Sequence, residues 1–279
     1  MREYAFLRRL HPPIIFKEAP PSTLFLSWVF AKCYSFLMLK RLFGFLIGLI
    51  FPPACQACRI SLPWEDLSGV CAKCESQIKW LAPPHCARCG RTLKRSKHSS
   101  CETCAASKDP LYFDRVFACA AYQGTTREIL HRYKFGPREA LGHFLSEHMR
   151  NFADHYLKKE DFDAVMCVPL DPKRHSSRGF NQSLRLSQKL SKAMKLEEIS
   201  SVVARKSSPS CQSSLSKIER KANVRDCFFV KNPKALARFK RVLLVDDILT
   251  SGQTLSECSR TLKNGGVRSV TALAFARGI

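Results

Sequence analysis

Two aspartates and a hydroxyl-rich loop follow an apolar run near the end of this 279-residue chain. The run, Val242 to Val245, has the unbroken apolar character of a strand buried on both faces of a parallel sheet, and it leads into Asp246 and Asp247. The loop that follows consists of Thr250, Ser251, Gly252, Gln253 and Thr254. Hydroxyls and backbone N–H groups at the start of a helix bind phosphate, and carboxylates beside them suit sugar hydroxyls or a divalent cation. The stretch therefore predicts a sugar-phosphate site. The alternative is an ordinary strand-to-helix turn with an acidic strand end and a Ser/Thr cap.

The segment Val245 to Thr254 resembles the motif with which type I phosphoribosyltransferases bind phosphoribosyl pyrophosphate (PRPP). In that motif a hydrophobic strand runs into two acidic residues and a Thr/Ser-Gly-x-Thr loop. Ser251 stands where Thr is more usual and keeps the hydroxyl. The resemblance implies that Asp246 and Asp247 are the catalytic residues and hold the ribose hydroxyls, directly or through Mg²⁺. It also implies that the loop 250–254 binds the 5-phosphate.

A second loop, 171–182, is basic and follows a stretch predicted to be a strand over 163–170. Its charges indicate an anion site that faces the phosphate loop across the top of the sheet, with a solvated connection as the alternative. By the same resemblance this region receives the pyrophosphate of PRPP together with Mg²⁺. The residues assigned to that role are Pro169, Leu170, Lys173, Arg174 and Arg178.

Eight of the 14 cysteines lie between positions 55 and 104, all in C-x-x-C pairs. Two such turns aim four thiolates at one point, which suits tetrahedral Zn²⁺, so two structural zinc sites are expected to supply folding energy. The ligands are Cys55, Cys58, Cys71, Cys74, Cys86, Cys89, Cys101 and Cys104. The repeat suggests two tandem ribbons or knuckles, with cross-braced pairing and iron–sulfur ligation as alternatives. His85 and His98 are expected to be bystanders.

The chain is strongly basic, with 46 Lys and Arg against 23 Asp and Glu and a formal net charge of +23. Such a balance points to polyanionic partners: nucleic acid, an anionic membrane or phosphorylated small molecules. Composition does not choose among them. Six further cysteines are scattered along the chain. So many free thiols indicate a reducing compartment, and a cytoplasmic location is expected.

We divide the chain into an apolar N-terminal extension (1–51), a double four-cysteine zinc module (52–108) and a phosphoribosyltransferase-like domain (109–279). The apolar run Leu42 to Phe51 is too short to span a bilayer, so no transmembrane span is expected. The extension is predicted to be a helix that packs on the protein's own body. An interfacial helix in peripheral contact with a membrane is the alternative, and translation starting at Met38 is a further interpretation.

Strand-like and helical patterns alternate from Phe113 onwards, which predicts an α/β fold of the type I phosphoribosyltransferase class. That fold is Rossmann-like, with helices on both faces of a parallel sheet, and here the small zinc module precedes it. The combination of Val168-Pro-Leu170, Arg178-Gly-Phe-Asn-Gln182, Tyr133-Lys-Phe135 and the paired cysteines resembles the competence protein F family. This resemblance implies single-stranded DNA and the competence helicase machinery as partners, besides PRPP or a related sugar phosphate.

Three functions follow from these patterns. The first is a Mg²⁺-dependent phosphoribosyltransferase whose acceptor the sequence does not identify. The second is a nucleic-acid-binding accessory protein of DNA uptake, and the third is a catalytically silent PRPP-binding regulator. Asp247→Asn should abolish turnover and leave DNA binding intact, whereas DNA binding should fall steeply with salt.

Overall fold

The computed structural model of this chain describes residues 53–63, 66, 68–93, 99–107, 109–134, 139–173, 176, 180–207 and 226–278. These residues belong to one compact unit, Pro52–Ile279. The predictions for the extension 1–51 and for His98, Arg174 and Arg178 lie outside the described residues.

A parallel sheet forms the centre of the described part, as the alternating sequence pattern predicts. Its five strands run in the order β1-β7-β6-β2-β3, and all the neighbours are parallel. Two further strands, β4 and β5, form an antiparallel pair. The strands are β1 (Arg115–Ala121), β2 (Ala164–Cys167), β3 (Glu197–Glu198), β4 (Val203–Arg205), β5 (Phe228–Val230), β6 (Arg241–Leu249) and β7 (Ser269–Arg277).

Helices connect the strands and cover both faces of the sheet. They are α1 (Ala72–Ser76), α2 (Glu102–Ala105), α3 (Gly124–Lys134), α4 (Glu139–Tyr156), α5 (Gln182–Met194), α6 (Pro233–Leu236) and α7 (Gln253–Asn264), with 3₁₀ turns at Lys159–Asp161 and Ser200–Val202. The apolar spacing of 141–156 predicts α4, and Leu141, Leu145 and Met149 are indeed fully buried on it. Within the described ranges, no helix combines the length and the apolar character that crossing a membrane requires.

Strand β6 is buried on both faces, which explains its unbroken apolar sequence. Side chains alternate along a strand, so Leu243 and Val245 pack with α4 and α5, whereas Val242 and Leu244 pack with α7 on the other face. All four are fully buried. The sheet therefore separates two hydrophobic layers, and the fold class predicted from sequence is confirmed.

The two strands beside the site differ in length from the prediction. β6 continues past Val245 through both aspartates to Leu249, because β7 keeps pairing with it as far as Arg277. β2 instead ends at Cys167, opposite Val245, and not at residue 170 as expected. Asp246 and Asp247 thus lie on a strand that β7 still flanks on one side, whereas β2 on the other side has already ended. The end of β2 leaves room for a ligand beside the two aspartates.

The zinc module packs directly against the sheet. Trp80 forms a β-bridge with Ala120, and the Leu81 N–H donates to the Cys119 carbonyl at 2.8 Å. The apolar side chains of the first cysteine ribbon join the same buried cluster as α4 and α5; they are Leu62, Val70 and Ile78. The module therefore shares its core with the α/β part of the chain.

Candidate active site and zinc centres

A cleft of about 320 Å³ opens at the carboxyl ends of β2 and β6. In open α/β sheets this is where ligands bind. Its lining residues in the described part are Tyr122, Lys134, Val168, Pro169, Leu170, Asn181, Gln182, Ser183, Arg205, Asp246, Asp247, Ile248, Thr250 and Thr254. The fold therefore brings the acidic pair, the phosphate loop and the start of the predicted pyrophosphate loop to one place.

The acidic pair occupies the floor of this cleft. Asp246 Oδ1 accepts hydrogen bonds from Ser183 Oγ at 3.0 Å and from the Asp247 N–H at 2.9 Å. Asp247 Oδ2 lies 3.1 Å from the Lys134 ammonium. Burial, together with the negative charge of Asp247, raises the pKa of Asp246 to about 7. A cation or a hydroxyl donor would lower that pKa again, so the pair is suited to binding one.

The phosphate loop lies between β6 and α7. Thr250 and Thr254 line the cleft, while Ser251, Gly252 and Gln253 form the turn between them. Gly252 has φ +76°, a backbone conformation that glycine adopts without a steric penalty. As the N-cap residue it offers no side chain to cap the helix. The Gln253 N–H makes only a long hydrogen bond, 3.5 Å, to Ser251 Oγ, so the start of this twelve-residue helix can still receive an anionic group.

Only the start of the predicted pyrophosphate loop lies in the cleft lining. Pro169 and Leu170 line it. The buried Asp171 accepts the Lys173 N–H at 3.0 Å, whereas the Lys173 side chain is exposed outside the cleft lining. A larger cavity of about 690 Å³ lies alongside and shares Pro169, Leu170, Asn181 and Arg205 with the first.

Sequence reasoning assigned no role to several residues that shape the site. Asn181 caps α5 by accepting the Ser183 N–H at 3.1 Å, and its amide donates to the Val168 carbonyl at 3.4 Å. The Gln182 side chain donates to the Lys134 carbonyl at 3.1 Å, which holds Lys134 near the aspartates. An Asn before an amphipathic helix is an N-cap signal, so Asn181 was recognisable in that role. Nothing in the sequence pairs Ser183 or Lys134 with Asp246 and Asp247.

Two tandem groups of four cysteines form the zinc centres. Cys55, Cys58, Cys71 and Cys74 make one group and Cys86, Cys89, Cys101 and Cys104 the other; within each, the sulfur atoms all lie within 4.8 Å of one another. This excludes cross-braced pairing. Four converging thiols without a carboxylate or an open position fit structural Zn²⁺.

The backbone favours the thiolate form of one sulfur in each ribbon. Burial alone would raise the pKa of Cys55, but backbone N–H donors outweigh burial and lower it to about 6. The same balance lowers the pKa of Cys86 to about 7. The N–H groups of Cys71 and Cys101 are among these donors, each at 3.3 Å from the sulfur. Burial and the neighbouring sulfurs instead raise the pKa of Cys74 and Cys104, so Zn²⁺, which binds deprotonated sulfur, must displace the protons of these thiols.

Comparison with known proteins agrees with both parts of the structure. The model of the double zinc ribbon domain matches residues 46–105, and that of the phosphoribosyl transferase domain matches residues 140–278. Competence protein F of Haemophilus influenzae is 31% identical over 229 residues, which cover 80% of this chain and 96% of that protein. The chain belongs to the competence protein F family.

Other relatives of this competence protein F family member have the same extent. The DNA utilization protein YhgH of Escherichia coli is 28% identical over 232 residues, covering 82% of this chain and 99% of its own. Competence protein ComFC of Streptococcus pneumoniae is 26% identical over 217 residues, with 76% and 90% covered. The resemblance drawn from the sequence motifs is thus confirmed, with a phosphoribosyltransferase-like domain preceded by paired zinc ribbons.

Proposed function

We propose that the protein binds PRPP with Mg²⁺ in the cleft beside β6 and transfers its phosphoribosyl group. The observation that carries this proposal is the juxtaposition of Asp246 and Asp247 with the start of α7, whose N-cap residue is a glycine. Carboxylates suit ribose hydroxyls or a hard cation, and free helix N–H groups suit the 5-phosphate. The phosphoribosyl transferase domain match supports the same ligand.

Phosphoribosyl transfer from PRPP requires stabilisation of the charge that develops in the transition state, and it does not require a nucleophile from the protein. Cleavage of the bond between C1 and pyrophosphate develops positive charge on the ribose, which Asp246 and Asp247 would stabilise from below. The loop 250–254 holds the 5-phosphate, and the Pro169–Leu170 backbone faces the pyrophosphate end. Mg²⁺, held by the carboxylates, would neutralise charge on the leaving group.

Calorimetric titration of the zinc-loaded protein with PRPP and Mg²⁺ tests the binding site. Micromolar affinity is expected for the wild type and loss of binding for Asp247→Asn. Asp163→Asn is a matched control, because Asp163 pairs with Arg241 at 2.7 Å at the opposite end of β6, away from the cleft. Equal affinity of all three proteins, or no binding by any of them, would refute the proposal.

Turnover separates a transferase from a silent regulator. Pyrophosphate release from PRPP in the presence of candidate acceptors, absent in Asp247→Asn, supports an enzyme. Tight PRPP binding without pyrophosphate release with any acceptor tested would favour the regulatory alternative.

None of the twelve described cysteines forms a disulfide, which supports a reducing, cytoplasmic setting.

A nucleic-acid role is a second candidate, and the names of the relatives favour it. They are called competence or DNA utilization proteins, and the chain carries a net charge of +23. Phosphate contacts would dominate such binding, so affinity for a single-stranded oligonucleotide should fall steeply from low to moderate salt. Asp247→Asn should leave that affinity unchanged. No retardation of the oligonucleotide at low salt would exclude this candidate.

A further inference from the structure

The two zinc ribbons are built alike. In the first, the N–H of Cys55 donates to the Ile60 carbonyl and the N–H of Arg59 donates to the Cys55 carbonyl. In the second, the N–H of Cys86 donates to the Arg91 carbonyl and the N–H of Gly90 donates to the Cys86 carbonyl. The four N···O distances lie between 2.7 and 2.9 Å. Because the backbones correspond bond for bond, a difference between the ribbons reflects what surrounds them.

One such difference lies just after the first C-x-x-C turn of each ribbon. Arg59 and Gly90 occupy the same position with the same φ of +69°. The exposed Arg59 shows that this turn accepts a long side chain. At Gly90 a Cβ would lie 3.1 Å from Leu249 Cδ2, so the leucine side chain would have to shift to admit one. The second ribbon therefore packs closely against Leu249 at the position where the first ribbon carries an exposed arginine.

Leu249 is the residue immediately before the phosphate loop. It is buried, and its other methyl group would lie 3.6 Å from a Cβ at Gly252 in the loop itself. Its carbonyl accepts the Gly278 N–H at 2.8 Å, and the neighbouring Arg277 guanidinium donates to the Cys89 carbonyl. The turn that carries two zinc ligands thus packs against Leu249 and, through one charged hydrogen bond, holds Arg277, the residue paired with Leu249 on β7.

A second connection reaches the same loop through residues 109–113. Arg88, between two zinc ligands, donates to the Asp109 carbonyl. Farther along, the Tyr112 N–H donates to Ser256 Oγ in the first turn of α7 at 3.1 Å. The Phe113 ring lies 3.6 Å from the Cβ position of Gly252. Both connections end on the turn that the proposed 5-phosphate would contact.

The first ribbon contacts other parts of the fold. Its Trp80 stacks on His148 of α4, with ring centroids 4.5 Å apart, and pairs with Ala120 of β1. A Cβ at Gly69 would lie 2.9 Å from the Cβ of Ala140 in α4. These contacts reach the edge strand β1 and helix α4, and none of them involves the loop 250–254.

We propose that the second ribbon, through Gly90, Leu249 and Arg277, positions the phosphate loop, so that zinc retention by Cys86–Cys104 and sugar-phosphate binding are coupled. The turn keeps its shape only while the metal holds its sulfurs. A ligand that favours the ordered loop must then favour the metal-loaded ribbon, and the metal must favour the ligand by the same factor. This inference rests on the proposed PRPP site.

Zinc release from the wild-type protein measures the coupling without an activity assay. A chelator pulse is followed by alkylation of exposed thiols and mass spectrometry of the peptides that contain each ribbon. PRPP with Mg²⁺ should slow alkylation of the second ribbon about tenfold, a typical coupling, and leave the first ribbon unaffected. Asp247→Asn should remove the protection. Equal protection of both ribbons, or of neither, would overturn the coupling.

Two glycine variants test the mechanical route. Gly90→Ala and Gly69→Ala each place a Cβ at φ +69° against a packed neighbour, one in each ribbon. Gly90→Ala should weaken PRPP binding about tenfold, while Gly69→Ala should bind as the wild type does. Unchanged affinity in Gly90→Ala would refute the role of this contact.

The failures are distinguishable. If the wild type does not bind PRPP, the proposed function falls, and this inference with it. If the wild type binds PRPP but neither zinc release from the second ribbon nor the PRPP affinity of Gly90→Ala behaves as described, the coupling alone is wrong. If Gly90→Ala does not fold, release from the wild-type protein still decides.

Discussion

Replacing Asp246 by Asn should make the folded protein more stable while it removes ligand binding. Burial and the charge of Asp247 raise the pKa of Asp246 from 3.8 to about 7. The folded state therefore holds a proton that the unfolded state has released, and the free energy of unfolding falls as pH rises from about 4 to about 7. Above about pH 7 Asp246 is ionised in both the folded and the unfolded state, so the destabilisation by its carboxylate charge reaches its full value.

The pKa difference sets the magnitude. A difference of about three pKa units, at ~1.4 kcal/mol each, gives an upper bound of about 4 kcal/mol. The carboxyl is half-buried, so solvent screening reduces the expected gain to about 1–3 kcal/mol. Asn keeps an oxygen that can accept the bonds from Ser183 and from the Asp247 N–H.

Urea unfolding of zinc-loaded wild type and Asp246→Asn, followed by circular dichroism, is the assay. The stability gap should widen by about 1–2 kcal/mol between about pH 5.5 and about pH 8. Comparing the two proteins at each pH cancels the common loss of zinc in acid. A variant that is less stable than the wild type at the higher pH would refute the reasoning, since Asp246 would then be a structural residue. Retained PRPP affinity would refute its place in the site.

Three further outcomes are expected. Lys134→Met leaves Asp247 without its cation and should cost about 1–2 kcal/mol in urea unfolding, whereas Lys134→Arg should recover most of it. Asn181→Ala removes the cap of α5 and should cost about 1 kcal/mol, with Asn181→Ser, whose hydroxyl can accept the same N–H, closer to wild type; equal stability of both variants would contradict the cap. Removing zinc with a chelator should expose the apolar ribbon residues Leu62, Val70 and Ile78, seen as binding of the dye ANS that added Zn²⁺ reverses. An apoprotein that binds no dye would show that the ribbons fold without metal.

Local patterns were sufficient where the chemistry is carried by neighbours in sequence. The C-x-x-C spacing predicted two zinc sites, since each turn by itself aims two sulfurs at one point. It left tandem and cross-braced pairing open, because that choice depends on which turns meet in space. The sulfur positions exclude cross-bracing.

Strand ends were predicted less well than strand centres. The apolar runs identified β2 and β6, but the end of each strand depends on its neighbour and not on its own composition. Since β7 continues beside β6 to Leu249 and β2 ends at Cys167, both aspartates lie on a strand and not after one.

The sequence by itself determined the α/β class and the eight sulfur ligands, and it predicted the acidic pair with a phosphate loop, because each pattern lies in residues a few positions apart. The tertiary structure decided what meets them. Lys134 lies more than a hundred positions from Asp247, and Gly90 lies still farther from Leu249, yet each pair is in contact. Such contacts arise from how the helices and ribbons pack on the sheet. The spacing of residues along the sequence does not predict these contacts, because packing depends on the whole chain.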